Sequence, residues 1–336
     1  MNARVRFVSI ATPQRGSISP HTLSAGAYGE AASSRRQSRP TGFTLIELVV
    51  VTCILAILSS ITLGGMQNAA RASRRDTTKF VIQKLNDALM ERWEQYEDLA
   101  VQMNPTATDN KLNKLRRIIC EEMPDTWEDV PDSRETALTP AGQAYADYKN
   151  TPPSPSAAYA GAECLYMIIT QSGMFPDFLE HIRPDRVGDI DQDGKLEFWD
   201  GWKRPISFIR WAPGFSSPLQ EKDAVAAHDP LDPNDVDATA FALFPLIFSG
   251  GPDASLSDPL SDPTAGYGLV SLVSLVDEAA SSMPWRPSPS LTGSNSPCTY
   301  KPPRKDSYTP VLVGAPDPAN LDAYRDNITN HNILTR

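Results

Sequence analysis

Histidine and cysteine are scarce in this 336-residue chain, four of each, and that scarcity removes whole classes of chemistry. No cysteine–histidine spacing of a zinc site occurs. There is no glycine-rich phosphate loop and no Gly-x-Ser-x-Gly elbow, and none of His181, His228 and His331 stands near a nucleophile motif. Catalysis is therefore not expected. Cys53 falls in an apolar run, which leaves Cys120, Cys164 and Cys298 for an oxidising compartment, enough for one disulfide and a spare thiol, or for none. Basic charge is also in deficit: 31 Lys and Arg stand against 41 Asp and Glu, a net charge of −10. Phosphate binding needs a basic face, so nucleic acid is not an expected partner. Proline is abundant, at 30 residues, which disfavours long regular elements outside one helix.

Long apolar runs are likewise few, and one dominates. From Phe43 to Met66 the chain holds a single charge, Glu47. At about 1.5 Å per residue, a helix of about 24 residues crosses a ~30 Å hydrocarbon core. Arg35, Arg36 and Arg39 precede it and should stay cytoplasmic. An acid at that depth costs roughly 2.5–3.5 kcal/mol, so Glu47 calls for a partner. Two plainer readings are a signal anchor and a secretory signal peptide cut at Ala70-Arg71-Ala72. The run is longer than an ordinary signal-peptide core, and neither reading accounts for the acid.

With its basic leader ending at Gly42, then Phe43, Thr44-Leu45-Ile46-Glu47-Leu48 and an unbroken apolar helix, the segment resembles type IV pilins and type II secretion pseudopilins. The resemblance implies cleavage by a prepilin peptidase between Gly42 and Phe43 and methylation of the Phe43 amine. It implies that Glu47 pairs with the N-terminal amine of a neighbouring subunit, that the partners are like or related pilin subunits and an inner-membrane assembly platform, and that the body is exported to the periplasm or cell surface. Without the leader, which holds six of the basic and one of the acidic residues, the remaining chain carries −15.

Past Gly64-Gly65, where a bend would be cheap, Val81, Leu85, Leu89, Trp93 and Tyr96 recur every three or four residues, so the helix turns amphipathic and runs to Asn104-Pro105. Arg71, Arg74, Arg75 and Lys79 form a basic patch suited to headgroups, to acids of neighbouring subunits, or simply to solvent. A second helix is expected over Asp109–Glu122 with Leu112, Leu115, Ile118 and Ile119 on one side. Residues 125–157, rich in Pro, Asp, Ser and Thr, read as a surface insertion with a short helix over Pro140–Tyr148. Ala158–Gly173 reads as a helix with Cys164, Leu165, Ile168 and Ile169 inward.

Asp189-Ile190-Asp191-Gln192-Asp193-Gly194-Lys195-Leu196-Glu197-Phe198-Trp199-Asp200 has the order of a calcium loop. Carboxylates fill places one, three, five, nine and twelve, glycine fills place six, and the Lys195 carbonyl stands at place seven. Hard oxygen ligands alternating on a tight loop can converge on Ca²⁺; the competing reading is an acidic turn with no ion. Flanking prolines and a following strand, Pro205–Trp211, distinguish the context from a helix–loop–helix hand. Asp200-Gly201-Trp202-Lys203-Arg204-Pro205 resembles the Asp-x-Trp-Gly-x-Pro turn of major pseudopilins, with Lys203 in place of glycine. Ser249-Gly250-Gly251-Pro252-Asp253 is similar to their Ser-x-Gly-x-Asp turn, although Gly, Pro and Asp make turns anywhere. Between these turns lie an acidic loop at Asp235–Asp237 and a buried strand, Phe241–Phe248, with Pro245 favouring an edge or bulge.

The expected architecture is α+β and pilin-like: leader 1–42, membrane and assembly helix 43–66, an exported domain 67–280 with a small antiparallel sheet near 200–280, and a loose Pro-rich tail 281–336. In the tail, Tyr300, Tyr308 and Val311-Leu312-Val313 offer local docking points. The expected function is that of a filament subunit. The alternative is a membrane-anchored calcium-binding envelope protein that never polymerises.

Overall fold

A computed structural model describes residues 42–156, 159–212, 214–220, 229–236, 242–252, 269, 314–316 and 321–334. The leader before Gly42, Phe241, His228, Asp237, Asp253, Cys298 and the tail positions Tyr300, Tyr308 and Val311–Val313 lie outside them. The chain divides into two units, one ending at Ser59 and one starting at Ser60.

Helix α1 (Leu45–Met103) is a single helix of 59 residues, continuous through Gly64-Gly65. Its apolar part is long enough to cross a membrane and is unburied in the monomer. Leu48, Val51, Leu55, Leu58 and Met66 are all exposed. The second half buries a stripe, Val81, Ile82, Leu85, Leu89, Trp93, Tyr96 and Ala100, as its period requires. Asn104 then takes a left-handed φ of 47° while its amide bonds the Ala100 carbonyl, which closes the helix before Pro105.

Around the stripe pack α2 (Lys111–Glu122), α3 (Pro140–Asn150) and α4 (Ala160–Gln171), with the strands beyond them. Cys164, Leu165, Ile168 and Ile169 face inward in α4 as expected. Residues 125–157 are not a surface insertion: Trp127, Val130 and Tyr145 are buried in the main core. Their polar neighbours are paired inside the fold rather than left to water. The buried Arg210 guanidinium donates to the carbonyls of Cys120 and Met123 and to Asp129. Buried Glu121 accepts from the amides of Leu138 and Thr139, and Thr139 in turn caps α3 through Gly142 N at 3.0 Å.

Two antiparallel sheets follow. Strands β1 (Val187–Gly188) and β2 (Glu197–Phe198) form a hairpin, and β3 (Ser207–Ile209), β4 (Leu246–Ser249) and β5 (Ile328–Thr329) form a sheet in that order. The third strand comes from the end of the chain, not from residues before 280. Within the expected loose tail, Ile328, Thr329, Asn330 and His331 are instead buried, while most of residues 281–320 lie outside the described residues. Short helices α5 (Leu321–Arg325) and α6 (Asn330–Leu334) flank β5. Asn330 explains the docking. Its side chain donates to Asn86 Oδ1 in α1 and to the Pro245 carbonyl and accepts from Ile247 N, so one amide joins helix, sheet and terminus. A sparse polar sequence with few apolar residues hides such an anchor.

His331 is held neutral in the same place. Its Nδ1 lies 2.8 Å from Ser217 Oγ and its Nε2 3.1 Å from the Pro245 carbonyl, and burial pushes its pKa down to about 4. A lowered folded-state value favours the fold above the ordinary histidine range near 6.5 and withdraws that support as pH falls through 4. Between pH 7 and 4.5 the loss is expected to be about 2–3 kcal/mol from this group. Urea unfolding of the detergent-solubilised chain at the two pH values checks it: His331→Gln should shrink the difference, and an equal pH dependence in both proteins would show that the ring is not the source.

Candidate functional site

The start of α1 carries the first candidate site. Gly42 and Phe43 are exposed. Thr44 N and Oγ1 each lie 3.2 Å from Glu47 Oε2, and Glu47 N donates to Thr44 Oγ1 at 3.3 Å. This reciprocal pair is a capping box, Thr at the cap and Glu three residues on, which satisfies donors that a helix start leaves open. Thr44-x-x-Glu47 before an apolar run is a helix-cap signature, a local role beside the intermolecular one expected for Glu47. The acid thus has a local task, and the flanking Leu45, Ile46, Leu48, Val49, Val50 and Val51 are exposed.

The second candidate site is the 189–200 segment. Eight residues, 189–196, connect β1 to β2, with Gln192 and Gly194 at positive φ, 62° and 84°, which folds the loop back on itself. Gly194 N donates to Asp189 Oδ2 at 2.9 Å and Lys195 N to Asp193 Oδ1 at 2.8 Å, so the loop's own amides orient its carboxylates. One oxygen each from Asp189, Asp191 and Glu197 lie within 4.8 Å of one another. So do oxygens of Glu163, Asp191 and Asp193. Ser156 closes the edge, its amide on Asp193 and its hydroxyl on Asp191, both at 2.5 Å.

Asp200, the twelfth residue, belongs to neither group. Its Oδ1 accepts from Trp202 N and Arg204 N and its Oδ2 from Ser249 Oγ, so the carboxylate is spent on the following turn. Lys195 sends its ammonium the other way, to the carbonyls of Tyr148 and Thr151, 4.8 Å above the Tyr148 ring. Glu163, from α4, carries no signal in the sequence, being one polar residue in an apolar helix. It is fully buried, with Trp127 Nε1 at 2.5 Å from Oε2 and no partner for Oε1. Asp189 Oδ1 and Asp191 Oδ1 are also buried and unpartnered.

The electrostatics are those of crowded acids. Burial, reinforced by Asp193, Asp191 and Glu197 and opposed by Trp127, raises Glu163 to about 9. Burial also raises Glu197 to about 8, against hydrogen bonds from Ile190 and Trp199, and it raises Asp191. Acids held this far above their ordinary range are short of positive charge. A hard divalent cation would supply it, and carboxylates with a serine hydroxyl nearby are the kind of oxygen donors that such a cation takes.

The turns at 200–205 and 249–252, by contrast, meet each other. Ser249 Oγ donates to Asp200 at 2.6 Å and accepts from Gly251 N at 3.1 Å, while Arg204 Nη1 donates to the Gly251 carbonyl at 3.0 Å. Lys203 adopts φ 65°, the left-handed conformation that favours glycine, which is the residue the resembling turn has there. Gly201 N donates to Thr78 Oγ1 of α1 at 2.9 Å. The turns therefore form a junction between helix and sheet, away from the acidic loop. Comparison with protein-family models, characterised proteins and solved structures finds no match.

Proposed function

We propose that the chain is a structural subunit of a type IV pilus or type II secretion filament, cut between Gly42 and Phe43 and assembled through the first half of α1. The observation that carries this reading is the composition of that helix. One face-less apolar stretch, exposed all round, continues into a stripe that forms the core of an acidic α+β domain. A stretch apolar on every side needs lipid or other helices as its solvent. Before assembly lipid fills that role, and in a filament sister helices replace it, with Glu47 meeting the amine of a neighbour. The membrane position also suits Arg71, Arg74 and Arg75, exposed five to nine residues past the apolar run. Prepilin peptidase and the inner-membrane platform are the implied partners.

The acidic loop is read as a structural Ca²⁺ site that fixes β1–β2, with Asp189, Asp191, Asp193, Glu197 and the Lys195 carbonyl as the sequence-defined donors. Its role would be stability of the exported domain and not chemistry. The test of the filament reading is physical recovery. When cells producing the chain and its processing machinery are sheared, the chain should pellet as fibres visible by negative-stain electron microscopy. Recovery only as monomer from detergent-extracted membranes would favour the non-polymerising anchor.

A further inference from the structure

Two groups of three acids sharing one member are more than a single calcium loop requires. Calcium–oxygen distances of about 2.3–2.6 Å place any two ligands of one ion within about 5 Å of each other. The set Asp189, Asp191 and Glu197 meets that condition, and so does the set Glu163, Asp191 and Asp193. We propose that the domain binds a pair of calcium ions bridged by Asp191, the second held by Glu163 of α4, so that the cations tie that helix to the β1–β2 loop. This rests on the loop-cation reading above and extends it to a residue that no loop motif contains.

Three observations support the second position. Glu163 is fully buried in an otherwise apolar helix, and its Oε1 has no hydrogen-bond partner, a costly arrangement unless something else meets that oxygen. Asp191 presents one oxygen to Ser156 and leaves the other, Oδ1, buried and unpartnered, as a bridging carboxylate with a free arm would. Charge gives the third. The five carboxylates Glu163, Asp189, Asp191, Asp193 and Glu197 carry −5 when ionised, and Lys195, which acts on Asp193 and Glu163, offsets one. One divalent ion leaves two negative charges of the group without compensation, and two ions leave none. Magnesium suits the site less, since it keeps most of its waters and seldom accepts so many carboxylates.

The experiment is a calcium count by native mass spectrometry on the full chain in detergent, stripped with chelator and titrated with calcium alone. Two ions per wild-type chain are expected, falling to one in Glu163→Gln and to one in Asp189→Asn. Terbium in place of calcium should luminesce on indole excitation at both positions, because Trp127 touches Glu163 and Trp199 touches Glu197; Trp127→Phe should remove the part of that emission that Glu163→Gln also removes and leave the rest. One ion in the wild type, retained in Glu163→Gln but lost in Asp189→Asn, would overturn the second position and leave the loop site standing. Two ions retained in Glu163→Gln would overturn the role of Glu163. No ion in the wild type would overturn the loop reading together with this one. The wild-type count decides between one and two ions even if a variant does not fold.

Discussion

Glu47→Gln is expected to abolish filament assembly while leaving the start of α1 intact, whereas Glu47→Ala should damage both. Glutamine can close the capping box with Thr44 as glutamate does, because the box needs an acceptor and not a charge. What glutamine cannot do is neutralise an ammonium brought into an apolar bundle. Removing one partner of a buried ion pair costs about 3–5 kcal/mol, and at 1.4 kcal/mol per factor of ten the yield of sheared fibres should fall by at least about 100-fold. Removal of the leader should proceed in both variants. The pair of substitutions separates two roles that a single alanine would confound. If Glu47→Gln assembles as the wild type does, the acid is a helix cap and its proposed pairing is wrong.

Gly201→Ala is expected to destabilise the domain by about 3 kcal/mol, one of the largest effects available from a single methyl group. A β-carbon at this position would lie 2.2 Å from the Arg74 carbonyl oxygen and 2.7 Å from its Cα, atoms of the α1 backbone that cannot swing aside. The helix and the turn would have to part. That movement also breaks the bond from Gly201 N to Thr78 Oγ1 and disturbs Asp200, which organises the turn beside it. Overpacking costs about 1–3 kcal/mol and an unsatisfied buried amide about 1–3 kcal/mol more, partly relieved by the movement. Chemical unfolding measures the sum. Thr78→Val, which keeps the shape and removes only the hydroxyl, should cost about 1–2 kcal/mol. Equal losses in the two variants would show that the hydrogen bond matters and the close approach does not.

Sequence pattern revealed what repeats at short range and concealed what is joined across the chain. The stripe from Val81 to Ala100 and the inward face of α4 were legible because a 3.6-residue period is written in adjacent letters. The turn at Asp200 was legible for the same local reason, and Lys203 takes a left-handed φ of 65° in it. Residues 125–157 and 321–334 were not, because each is polar in composition and folds inward on one or two buried side chains: Arg210 and Glu121 for the first, Asn330 and His331 for the second. Their partners lie 80 to 240 positions away in several cases, and no periodicity announces them. Four of the five acids of the centre, Asp189, Asp191, Asp193 and Glu197, were visible in the loop motif. The rest was hidden because Glu163 comes from another element, and because Asp200, which completes the motif in sequence, is committed elsewhere in space.

The mass of the mature N-terminus tests the central claim most directly. Protein purified from cells that produce the chain together with prepilin-processing machinery and digested for mass spectrometry should yield a first peptide beginning at Phe43 and carrying one added methyl group. A peptide retaining residues before Gly42, or a first residue beyond position 70, would contradict assembly through the apolar half of α1.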